Sequence, residues 1–144
     1  MDSIKINTGE KRICINDDPA RVIVFNPSDV LFAEKFYQLM GEFEQKLAEY
    51  QARSETIDEN KQLDAHQLPI NMEERISLLR EACEYIRGRI DHLFGAGTSQ
   101  KAFGETLALD VFTQFFEGIT PCIQSVREDR IAQYSGARQK RVMK

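Results

Sequence analysis

The sequence predicts a mainly α-helical domain of the α+β class, with about four helices behind a small N-terminal antiparallel β-meander. Three observations carry this expectation. Residues 4–26 alternate in the period-two manner of strands, several later segments place apolar residues at steps of three and four, and clusters of Gly, Pro and polar residues separate them. At 144 residues the chain is the size of one domain with one core. The expected division is a single domain over 1–136, containing the β region at 4–26, and a basic tail over 137–144.

In the β region, Ile4 and Ile6 fall on one face, Ile13 and Ile15 on another, and "RVIVF" at 21–25 is β-branched. "NTGE" at 7–10 and "NDDPA" at 16–20 supply the turns of a three-strand meander. Three strands are marginal alone, so one face must rest on apolar helices. The first helix is expected over 29–54, with Ser28 as N-cap and Asp29 at the positive end of its dipole. Phe36, Met40, Phe43, Leu47 and Tyr50 form its stripe, while Glu42, Glu44, Lys46 and Glu49 lie among the polar positions. The polar stretch 54–71, with Pro69, reads as a loop and the most mobile segment. Asn71 then caps a second helix over 72–94, with Glu74 completing a capping-box variant. Ile76, Leu79, Cys83, Ile86, Ile90 and Leu93 give that helix the clearest period in the chain.

"FGAGTSQKAFG" at 94–104 poses the main question about chemistry, because its glycines and hydroxyls suggest a phosphate loop. A Walker loop requires GxxxxGK[ST] between strand and helix, whereas this stretch follows a helix and Lys101 precedes Ala102. It is read as a joint in which Gly95 ends the second helix in the left-handed conformation and Thr98 or Ser99 caps a short helix containing Phe103. A third helix is expected over 106–118. A fourth is expected over 121–135, opened by Thr120 as N-cap and Pro121 as its first residue.

Composition narrows the function. The net charge of −4 includes a C-terminal "RQKRVMK" with four cations and no acid, and removing those four leaves −8. An acidic body does not suit general nucleic-acid binding. Cys14, Cys83 and Cys122 have no zinc or redox spacing and are read as buried thiols in a reducing compartment. No signal-peptide pattern and no run of about 20 apolar residues is present, so a cytosolic protein is expected. His66 and His92 lack a nucleophile at a recognisable spacing, and Asp58, Glu59 and Asp64 lack the calcium-loop pattern. No enzyme activity, cofactor or metal is therefore expected. Thermal melts with EDTA, zinc, calcium or ATP should superimpose, and a shift of several degrees with any of them would contradict that expectation.

An interaction protein remains. The narrow stripes of the first two helices suit a helical partner, either each other or another chain. Phe112, Phe115, Phe116 and Ile119 form the expected protein-binding surface, because they put more aromatic area on a short helix than one layer needs. In that reading 94–104 is a hinge and at least one of Phe112, Phe115 and Phe116 tolerates substitution, which Phe115→Ser would test.

"NPSDVLFAEKFYQLMGEFE" (26–44), "FGAGTSQKAFG" (94–104) and "FFEGITPCIQSVREDRIAQY" (115–134) resemble tail assembly chaperones of tailed phages and prophages of Gram-positive bacteria. The resemblance spans about residues 12 to 136. It implies a mostly helical protein of the host cytoplasm that binds the tape measure protein, and possibly the tail tube protein, and keeps the tape measure soluble while the tube polymerises. It also implies homo-oligomers, absence from the mature virion and no catalytic residues. The alternative is a small phage-encoded inhibitor of a host defence protein, whose acidic helical face would mimic nucleic acid.

Overall fold

The computed structural model describes residues 1–142, with side chains through residue 126. Of the apolar stripe expected on the fourth helix, Ile123, Val126, Ile131 and Tyr134, the last two side chains lie outside the described residues, as do those of the basic tail. The chain forms β1 (Lys11–Ile15), β2 (Asp18–Phe25), α1 (Val30–Asp58), α2 (Met72–Phe94), α3 (Thr98–Phe103) and α4 (Leu109–Val142). The mainly helical class with a small antiparallel sheet agrees with the expectation.

The sheet has two strands, not three. β1 and β2 pair antiparallel around Asn16 and Asp17, both at positive φ (54° and 59°), as a tight hairpin turn requires. Residues 1–10 form no strand, and Ile4 and Ile6 are exposed. The expected first turn fails because Gly9 adopts φ +86° directly against Ser28, where an added Cβ would lie 2.6 Å from the hydroxyl. The Asn26 amide also donates to the Thr8 carbonyl at 2.7 Å. Together these contacts guide the chain along residues 26–28 instead of back across β1. The inward row of the hairpin, Ile23 and Phe25 flanked by Ile13 and Ile15, rests on the helices.

Asp29, rather than Ser28, is the N-cap of α1, and its carboxylate accepts from the Leu31 N–H at 3.0 Å. α1 runs four residues beyond the expected end, and α2 has the expected bounds. The two helices form an antiparallel hairpin tied by Arg89–Glu42 (3.0 Å), Arg53–Glu81 (2.7 Å) and Arg75–Asp58. Asn71 makes no side-chain cap on α2. Its amide instead donates to the Ile57 and Asn60 carbonyls at 2.7 and 2.9 Å, closing the C-terminal end of α1. The intervening loop contains a turn in which the Asp64 carboxylate accepts from the His66 and Leu68 N–H groups.

α4 is continuous through Thr120 and Pro121, so the expected break between third and fourth helices is absent. Ile119 and Ile123 lie one turn apart on either side of Pro121 and are 4% and 0% exposed. Their shared burial offsets the cost of about 3 kcal/mol that an interior proline imposes. The core is largely aromatic, joining Phe25, Phe32, Phe36, Phe94, Phe103 and Phe115. Cys83 is buried within it, and burial pushes its thiol pKa up. The other two thiols differ from the expectation of burial: Cys14 is exposed and Cys122 only half-buried. Among the described residues no helix is long and apolar enough to cross a membrane, and no three potential metal ligands come together.

Candidate functional site

The stripe on α1 continues past the point where the rest of the protein covers it. Phe36 and Leu39 are each 1% exposed, Met40 and Phe43 are half-buried, and Leu47 is 48% exposed. α2 differs at the same end of the hairpin: Leu79 and Ile76 are exposed, but Leu78 and Ala82 keep its inward face buried. It is α1 that carries its apolar stripe beyond the reach of the core.

α4 turns that uncovered length into a groove. It carries two adjoining rows, which follow from the helical step of 100° per residue. Phe112, Phe115, Ile119 and Ile123 face the core, while Leu109, Phe116 and Thr120 line a groove whose opposite wall is Phe43, Leu47 and Tyr50 of α1. Phe112 is shared, being 2% exposed and also reaching the groove. Tyr85 and Ile86 of α2 complete the lining. The volume is about 730 Å³. Phe116 is its central ring, set edge-on against Phe43 at 5.3 Å and against Phe115 at 5.4 Å.

This arrangement corrects the expected binding surface. Phe115 and Ile119 are 8% and 4% exposed and belong to the core, and neither lines the groove. Phe115 packs edge-on with Phe94 and Phe103 at 5.4 and 5.5 Å. Of the four residues expected there, Phe116 and the edge of Phe112 face the groove. Leu47, Tyr50 and Tyr85 were missed as its other walls, although the overlong stripe on α1 signals the first two.

The polar rim consists of Glu44, Lys46, Thr113, Glu117, Thr120 and the two tyrosines. Lys46 is engaged: its ammonium is 3.3 Å from Glu49 and 5.3 Å from the centre of the Tyr85 ring. The bond to Glu49 raises the Lys46 pKa, and partial burial raises that of Tyr50.

The glycine-rich stretch is a joint that hydrogen bonds tie to the rest of the fold. Gly95 ends α2 at φ 115°, and the left-handed residue is Gly97, at φ 86°. Asp91 accepts from the Ser99 N–H and hydroxyl at 2.8 and 3.0 Å. Arg21 donates to the Lys101 and Ala102 carbonyls, and Arg87 to that of Thr106. An aspartate thus occupies the two Ser99 donors that a phosphate at this helix start would use.

Fold and groove together define a mainly helical protein with an aromatic-walled cleft between a helical hairpin and a third long helix. The chain belongs to DUF6673, a family of unknown function, which matches it over residues 21–144. No curated protein and no solved structure matches it.

Proposed function

We propose that the protein is a non-enzymatic tail assembly chaperone that holds an apolar helix of the tape measure protein in this groove. The observation that supports the reading is the uncovered continuation of the α1 stripe at Leu47, facing Phe116 across the groove. A groove with helical walls accepts an amphipathic helix through anchors at i, i+3, i+4 and i+7. A tape measure is a long helical chain with much apolar surface, and its solubility before the tube forms requires that surface to be covered. The protein would act in the host cytoplasm and be absent from purified virions.

Co-expression with the tape measure protein of the same phage tests the reading. The wild-type chain should keep the tape measure in the soluble fraction and co-purify with it. Phe116→Ser and Leu47→Ser should each abolish co-purification while remaining folded. Retained co-purification in both variants would remove the groove from the function. A tape measure that is equally soluble without the chaperone would remove the function itself.

A further inference from the structure

The groove has a charge signature that selects among apolar helices. Glu44 on α1 and Glu117 on α4 both line it and are exposed, and neither has an ion-pair partner among the described residues. Neighbouring acids differ: Glu42 is held by Arg89 and Glu49 by Lys46. Among the described residues the one cation lining the groove, Lys46, is already shared between Glu49 and Tyr85. Two carboxylates therefore edge a floor of Phe and Leu.

We infer that Glu44 and Glu117 are specificity-determining residues, and that the occupant is an amphipathic helix of a partner protein whose apolar stripe is flanked by Lys or, preferably, Arg. This deepens the chaperone reading and rests on it. Glu44 and Glu117 rise from different helices, α1 and α4, whose side chains form opposite walls of the groove. Cations on both flanks of one apolar stripe would meet a carboxylate on each side. Arg suits such a carboxylate best, because its planar fork can meet it with two N–H groups at once. A helix with acidic flanks would bring like charges to both rims, which costs affinity and so discriminates between partners.

The test uses three synthetic peptides of about 20 residues, long enough to populate a helix on binding. They share one Leu stripe at helical spacing and differ only in flanks of Arg, Gln or Glu. Fluorescence anisotropy with the full chain at low salt should rank Arg above Gln above Glu, with about tenfold between the extremes, and raising the salt should compress the ranking. The E44K/E117K variant, which should melt near the wild type because both positions are exposed, should reverse the order. Phe116→Ser should weaken all three peptides alike. If wild type and E44K/E117K bind all three peptides equally, the charge inference falls while the groove reading stands. If no peptide binds and Phe116→Ser changes nothing, both fall. If sedimentation shows a wild-type oligomer that E44K/E117K dissociates, the occupant is a second copy, offering its cationic residues at 138–144, and the partner assignment is overturned.

Discussion

Phe115→Ser should unfold the protein or lower its melting temperature by about 10 to 20 °C, whereas Phe116→Ser should lower it by only a few degrees. The two side chains are adjacent in sequence and belong to different environments. Phe115 is 8% exposed and packs against Phe94, Phe103 and Phe116 at ring distances of 5.4 to 5.5 Å. Truncating a core Phe costs about 3 to 5 kcal/mol, and the buried serine hydroxyl adds about 1 to 3 more if it finds no partner. Against a total stability of about 5 to 15 kcal/mol, that loss is close to the whole. Phe116 is half-buried, with one face toward the groove and the other against Phe43 and Phe115. Its substitution forfeits part of a Phe burial worth about 1.5 to 3 kcal/mol. Circular dichroism melts of the two variants decide the matter. A Phe115→Ser protein that melts within about 3 °C of wild type would place Phe115 outside the core.

The same pair of residues shows where the sequence was informative. Helical spacing identified the segment and its aromatic load, but three Phe within five positions fit either a thick core or a sticky surface. What decided between them was the company of Phe103 and Phe94, contributed by segments whose approach no local pattern encodes. The bounds of α2 were legible because its apolar residues keep strict steps and Gly95 closes it. Pro121 misled for a physical reason: after a threonine, a proline opens a helix or interrupts one with nearly the same local signature. Only the burial of Ile119 and Ile123 on a common face holds α4 together across it. Alternation at Ile4 and Ile6 lacked a strand to pair with, since Gly9 and Asn26 lead that segment elsewhere. Half of the groove was visible as the α1 stripe. The other half depends on how α4 crosses the hairpin, which is a tertiary property.

Asp91→Ala should cost about 3 kcal/mol and lower the melting temperature by about 10 °C, an effect expected from a tied joint and not from a hinge. The carboxylate sits in the last turn of α2 and receives both the N–H and the hydroxyl of Ser99, which is 3% exposed. Bonds to an ionised acceptor are worth about 1.5 to 3 kcal/mol, and losing this one leaves two buried donors unsatisfied at once. α3 has no side-chain N-cap of its own, because Gly97 occupies that position. Asp91 supplies from a neighbouring helix what a local Ser or Asp normally supplies. Ser99→Ala should be milder, since it removes one donor together with its need for a partner. The double variant should melt close to Asp91→Ala, because the two residues act as one unit. Hydrogen exchange provides the independent readout: amides 98–104 should be protected in wild type and exchange faster in Asp91→Ala. Fast wild-type exchange at those amides, with a melting temperature that Asp91→Ala leaves within about 2 °C, would restore the hinge. α3 would then be free to follow α4 and the groove, instead of fixing Phe103 against Phe112 and Phe115 as its ring contacts at 4.9 and 5.5 Å indicate.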